Sequence, residues 1–267
     1  MRGHSLGAGV SAIRQFGVAT RTLSFAALAC ALTVACAHAE EACRFVTIGT
    51  GSVRAATETG IALEDGRTVR LAGIEFAGEP GLAAGTVVTL KRLGSVPETD
   101  RYGRLNAHVF IDENGAERWL QADLVGRGLA RVSSRVGEPA CARQLLAREQ
   151  AARAAKLGLW GEPVYVIGKA EDPVEVLKNR GRFALVEGKV LSVRESGGTI
   201  YVNFGRRWSE DFTVTIAKRN ERVFSAAGLV PKSLSGRRVR IRGWIEERGG
   251  PWVEAARPEQ IEVLASN

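Results

Sequence analysis

The stretch DRYGRLNAHVF, Asp100 to Phe110, sets an apolar strand directly behind a turn that carries two guanidinium groups and a phenol around one glycine. A tight turn needs the glycine, whose backbone reaches positive φ at no steric cost. It needs neither arginine. The stretch therefore reads either as an ordinary charged loop or as one wall of a site that holds an anion. Before it, the chain alternates with the two-residue period of β-strands in CRFVTIG, GSVRAAT, TGIALEDGRTVRLAGIEF and GTVVTLKRLG, with Asp65-Gly66 as a hairpin signal. After it, helices are predicted in ERWLQADLVGRGLARV and over residues 140–157. In the latter, Leu145, Leu146, Ala152 and Leu157 recur at helical spacing, and Gly158 and Gly161 mark the end. Five strands followed by helices describe a small barrel with a helical flank. His108, alternating with Ala107 and Val109 on the last strand, reads as structural.

The chain has 267 residues, enough for one large or two small domains. Its 45% apolar and 25% charged content is that of a globular protein rather than a disordered one. Residues 1–39 stand apart. Arg2, Arg14 and Arg21 precede LSFAALACALTVACAHA, and no acidic residue occurs before Glu40. A basic start, a short apolar run and the Ala37-His38-Ala39 ending read as a secretory signal cleaved after Ala39. The mature protein is then expected to be periplasmic or secreted, with no membrane span. Lipoprotein processing at Cys36 and an uncleaved anchor are the alternatives. Cleavage leaves Cys43 and Cys141, and two thiols in an exported chain point to a disulfide, with two unrelated buried thiols as the alternative. No C-x-x-C, zinc-ligand spacing or G-x-x-x-x-G-K-[ST] loop occurs, which removes thiol-based metal sites and P-loop nucleotide hydrolysis.

Charge divides the chain near residue 165. Residues 40–163 carry 16 basic and 16 acidic side chains, whereas residues 164–267 carry 18 and 13. The basic character of the mature chain thus lies in its second half, where GRRVRIRGW (236–244) offers arginines at alternate positions. Such a stripe either meets phosphates or is the solvated face of a strand.

Four segments, VRLAGIEFA, DRYGRLNAHVF, WLQADLVGRGLARV and REQAARAAKLGLWG, occur in that order and together resemble the staphylococcal-nuclease (thermonuclease) family over residues 43–162. The resemblance implies an OB-type barrel and calcium-dependent hydrolysis of phosphodiesters in DNA or RNA. It assigns Arg70 and Arg104 to the scissile phosphate. Paired guanidiniums suit that task, because they give always-charged, bidentate donors to the oxygens on which charge develops. Arg101 and Tyr102 would line the same groove. Glu58 and Glu75 fall at the calcium-ligand positions, and calcium takes hard oxygen ligands. The family's D-T-P-E segment becomes Glu75-Phe76-Ala77-Gly78, so a glycine stands where the general base is expected and Glu79 is the nearest carboxylate. The implied enzyme has lost or relocated its base. The alternative is a noncatalytic binder of nucleic acid or another anionic polymer at the cell envelope.

The second half reads as three strands, a short helix at RNERVFSAAG and two more strands, the order of an OB-fold. Tyr201, Arg206, Arg207 and Trp208 are its candidate nucleic-acid contacts, aromatic rings for bases beside cations for phosphates. Phe204, Phe212 and Trp244 alternate like core residues, and at least two of them are expected to be buried. The whole chain is thus expected to be mainly β with helices (α+β). Its expected parts are a signal over 1–39, a thermonuclease-like barrel with flanking helices over 40–163, a linker over 164–180 and a small basic OB-like barrel over 181–267.

Overall fold

The computed structural model describes residues 43–76, 78–94, 97–207 and 209–265. The secretory signal and Cys36 lie outside the described residues, and among those described no helix is long and apolar enough to cross a membrane. The described residues form one compact unit.

Its first part begins with β1 (Val46–Thr57), β2 (Gly60–Leu63), β3 (Thr68–Leu71), β4 (Ile74–Phe76), β5 (Val87–Arg92), β6 (Leu105–Glu113) and β7 (Ala116–Trp119). Strands β3, β2, β1, β5 and β6 pair in that order, and a parallel pairing of β3 with β6 closes a five-stranded barrel. Alternation explains the inner face: Val69 and Leu71 of β3, and Val88 and Leu90 of β5, are buried while their neighbours reach the surface. CRFVTIG and GSVRAAT form the single strand β1 rather than two. Register shifts at Thr47/Gly49 and Val53/Ala55 bend it, so that it pairs with β2 through its end and β5 through its start. β6 is buried on both faces, because its outer face lies under an aromatic cluster. There Phe45 and Trp119 meet the ring of His108 at 5.1 and 5.4 Å.

Helix α1 (Leu120–Gly126) is shorter than its sequence pattern, since the chain turns at Gly128 into β8 (Ala130–Val132), which pairs with β4. Gln121 ties the helix to β6, accepting from the Val109 N–H at 3.0 Å and donating to the Ala107 carbonyl at 2.9 Å. Helix α2 (Pro139–Ala154) follows. A disulfide joins Cys43 to Cys141 across 98 residues, so the chain entering β1 is tied to the first turn of α2. In the chain-entropy account such a bridge contributes on the order of 4–5 kcal/mol. Gly128 and Gly158, both at positive φ, lie back to back. A Cβ on either would come within about 2.5 Å of the other segment's backbone, and the Gly128 carbonyl accepts from the Leu159 N–H at 2.8 Å. The GLA and LGLW motifs are thus two sides of one close backbone approach.

The second part comprises β9 (Gly168–Lys169), α3 (Pro173–Leu177), β10 (Phe183–Lys189), β11 (Ser192–Ser196), β12 (Thr199–Asn203), β13 (Thr213–Ala217), α4 (Glu221–Ala226), β14 (Arg238–Trp244), β15 (Glu246–Arg248), β16 (Gly250–Glu254) and β17 (Ile261–Val263). Two sheets form, β17-β14-β10-β9 and β11-β12-β13-β16-β15, around a second apolar core. The segment 164–180 is built into this part. Its β9 adds in parallel to β10, and Ala170 and Val176 join the core, because both are apolar and point inward. Phe204 and Phe212 are buried, whereas Trp244 is half exposed.

The arginine stripe of β14 divides: Arg238 is exposed, whereas Arg240 and Arg242 turn to carboxylates. Arg242 is fully buried; its guanidinium donates to Glu149 of α2 at 2.8 Å, to the Val132 carbonyl at 2.9 Å, and to Glu262. Arg240 pairs with Glu187 at 2.6 Å and Glu262 at 2.9 Å. Burial pushes the Glu262 carboxyl up, but Arg242 and Arg240 outweigh it and hold it below the ordinary carboxylate range. Alternation put these arginines on one face of the strand, as the sequence implies, and the first part of the unit covers that face.

Candidate nucleic-acid interface

The opening turn is organised by Asp100. Its carboxylate accepts from the Tyr102 N–H at 2.9 Å, the Arg104 N–H at 3.0 Å and Arg104 Nε at 2.8 Å, while Gly103 closes the turn at φ +74. Burial pushes the Asp100 carboxyl up, but Arg104 and the two N–H groups more than offset it and leave it below the usual value. Arg104 also donates Nη1 to the Thr59 carbonyl at 2.9 Å, which brings the β1–β2 turn, with Glu58, against this corner. A guanidinium has five N–H donors. Arg104 commits one on each nitrogen, leaving two for an outside acceptor. Tyr102 is 68% exposed, and the Arg101 and Arg104 guanidiniums lie 4.8 and 5.5 Å from its ring centre.

Arg70 of β3 sits beside this corner, since Val69 pairs with Leu105 and Arg70 with Asn106. Its one side-chain partner among the described residues is Glu75 of β4, at 3.3 Å. Glu75 also faces Arg131 of β8, its cross-strand partner, which sequence reasoning missed. Burial raises the Glu75 carboxyl above the ordinary value, against the pull of Arg70 and Arg131. Arg131 in turn lies 5.3 Å from the Tyr165 ring and 5.2 Å from that of Phe183. Nothing local in ARV signals this role, which depends on β4 and β8 pairing.

Glu58 and Glu79 are exposed and have no ion-pair partner among the described residues. Gly78 offers no side chain at the expected base position, and its φ of +92 keeps the segment suited to glycine. The residues present do not form a calcium cage. Glu75 is already committed to guanidiniums. Among the described residues, the one group of three or more His, Cys, Asp or Glu with ligand atoms gathered within 4.8 Å is Cys43, Glu138 and Cys141, whose thiols are consumed in the disulfide. Calcium wants six to eight oxygens, which two separated glutamates do not approach.

Residues 80–162 match the family model described as staphylococcal nuclease homologue. The first barrel is staphylococcal-nuclease-like. The match over these residues points to a nuclease-like or nucleic-acid-binding function, and the fold that holds them is mostly β, closed into a barrel with a few helices. The matched span of this nuclease-like domain contains Arg101, Tyr102 and Arg104, whereas Glu58, Arg70, Glu75 and Glu79 precede it. No curated protein matches the chain.

In the second part, Tyr201 and Arg206 line an open groove of about 930 Å³, together with Arg194, Asn203, Arg248 and Trp252. Arg207 does not line it and pairs with Glu210 at 2.8 Å. Trp208 lies outside the described residues. The alternation of Trp252 with buried Val253 was the available signal for a surface-facing tryptophan, and Arg194 was legible as the cross-strand neighbour of Tyr201 once the hairpin was drawn.

Proposed function

We propose that this is an exported nucleic-acid-binding protein in which the barrel corner of Arg70 and Arg104 holds a phosphodiester without hydrolysing it. The carrying observation is the state of that corner. Arg70 spends one of its five donors and Arg104 three, so six N–H groups remain for phosphate oxygens. Gly78 holds the position that the resemblance gives to the general base, and Glu79 beside it is exposed with no ion-pair partner among the described residues. Misplacing a base by about 1 Å can cost a hundredfold in rate, so a carboxylate on the next residue is a poor replacement. The disulfide supports an oxidising compartment.

The test combines calorimetry with a 5′-phosphorylated dinucleotide and a cleavage assay on fluorescent single-stranded DNA, with calcium or with chelator. The expected result is dinucleotide binding that is lost in Arg70→Ala/Arg104→Ala and no turnover at micromolar protein. Calcium-dependent cleavage abolished by that double variant would overturn this reading and install a hydrolase, with Glu79 as the next residue to change. Dinucleotide binding unaffected by the double variant would remove the corner from function altogether.

A further inference from the structure

The outward face of β11, β12, β13 and β16 gathers two aromatic rings and three arginines with no carboxylate among the described lining residues. Strand register builds it. Arg194 lies opposite Tyr201, Ser192 opposite Asn203, and Thr213 pairs with both Asn203 and Trp252. The alternate residues Val202, Val214 and Val253 fill the core, so the rings and cations are forced outward. Tyr201 and Trp252 meet edge to face, 6.3 Å apart at 89°. The Arg248 guanidinium lies 4.5 Å from the Trp252 ring centre and is steadied by Glu246 at 2.9 Å. Arg194 and Arg206 have no acidic partner among the described residues, whereas Arg180, Arg207, Arg240 and Arg242 of the same half are all paired.

We propose that this groove is a binding site for single-stranded nucleic acid, with bases stacking on Tyr201 and Trp252 while Arg194 and Arg206 take flanking phosphates. Two cations with no acidic partner among the described residues supply the complement to a polyanion, and half-buried rings beside them add what a phosphate chain alone cannot use. A duplex keeps its base faces inside its own stack, so the rings select an unpaired strand. The five-stranded sheet runs β11-β12-β13-β16-β15 and keeps rings and cations on one continuous surface. The site stands on residues separate from the Arg70 and Arg104 corner and does not depend on it.

The test is fluorescence anisotropy with a labelled twelve-residue oligothymidine, a duplex of equal length and inorganic polyphosphate as competitor, across a salt series. Arg194→Ala/Arg206→Ala is expected to weaken oligothymidine binding about tenfold or more and to flatten the log–log salt slope by about 1.4, from two lost phosphate contacts on a single strand. Tyr201→Leu is expected to cost about tenfold, with Tyr201→Phe retaining most affinity because the ring survives. Arg182→Ala, an exposed cation outside the groove lining, is expected to leave oligothymidine binding within about threefold. Equal binding of duplex and oligothymidine, full displacement by polyphosphate at equal phosphate concentration, or an unchanged affinity in a folded Tyr201→Leu would each overturn the proposal.

Discussion

Arg242 and the pair Arg194 and Arg206 come from the same basic half of the chain, on strands of the same part of the molecule, yet they meet opposite environments. Arg242 is wholly removed from water and shared among Glu149, Glu262 and the Val132 carbonyl. Arg194 and Arg206 lie at the rim of an open groove with no carboxylate among the described residues to answer them. Part of the positive charge of residues 164–267 is therefore neutralised in place, as at Arg240 and Arg242, whereas Arg194 and Arg206 at the groove, like exposed Arg182 and Arg219 elsewhere, have no acidic partner among the described residues. Counting charges along a sequence locates a basic domain; only the pairing locates a basic face.

The sharpest way to break this comparison is to remove the buried member. Arg242→Ala leaves Glu149 fully buried without its main partner, and its loss should destabilise the fold by about 3–5 kcal/mol in urea denaturation. A loss below about 1 kcal/mol would mean that water reaches Glu149 and that the contrast in burial is smaller than drawn. Arg242→Met/Glu149→Gln should recover part of the loss, because it removes the charges together.

A second buried base, His108, separates burial from pairing. Its two ring nitrogens have no hydrogen-bond partner among the described residues, and burial alone pushes its pKa down to about 3. In the unfolded chain it titrates near 6.5, so between those values the unfolded state takes up a proton that the native state refuses. Stability from this residue is complete above about pH 6.5 and falls as pH drops towards about 3, by roughly 2 kcal/mol at pH 5. His108→Leu should flatten that slope in denaturation curves taken between pH 7 and pH 5, and an unchanged slope would place the acid sensitivity elsewhere. The exposed pair closes the series. Arg194→Ala/Arg206→Ala should change stability by less than about 0.5 kcal/mol while removing affinity, which a larger stability loss would contradict.

Much of the first barrel was legible because strand alternation, turn glycines and the Asp65-Gly66 hairpin are local signals. The Asp100 turn was legible too, down to its glycine, although the sequence drew attention to the arginines and the structure shows the aspartate organising them. What escaped was decided between distant segments. Arg131 meets Glu75 only through β4 and β8 pairing, and Arg242 meets Glu149 across 93 residues. The alternation of Arg238, Arg240 and Arg242 correctly set them on one face, but no local pattern says whether water or a helix covers that face. Residues 164–180 look like a linker because Gly168, Pro173 and six charged residues interrupt their apolar positions, and Ala170 and Val176 gain their meaning only from the core they enter.

Glu149 has a double duty that reaches beyond stability. The same carboxylate accepts the Val132 N–H of β8 at 2.9 Å and the Arg242 guanidinium of β14, so one group braces the first barrel and anchors the second part. Sliding the second part over the barrel would strip a partner from a charge that has no water to turn to. A nucleic acid long enough to touch both the Arg104 corner and the Tyr201 groove would thus meet two stations on a stiff ruler. Its avidity would be set by strand length, rising steeply once the span is matched, rather than by a tether that adapts to any guest.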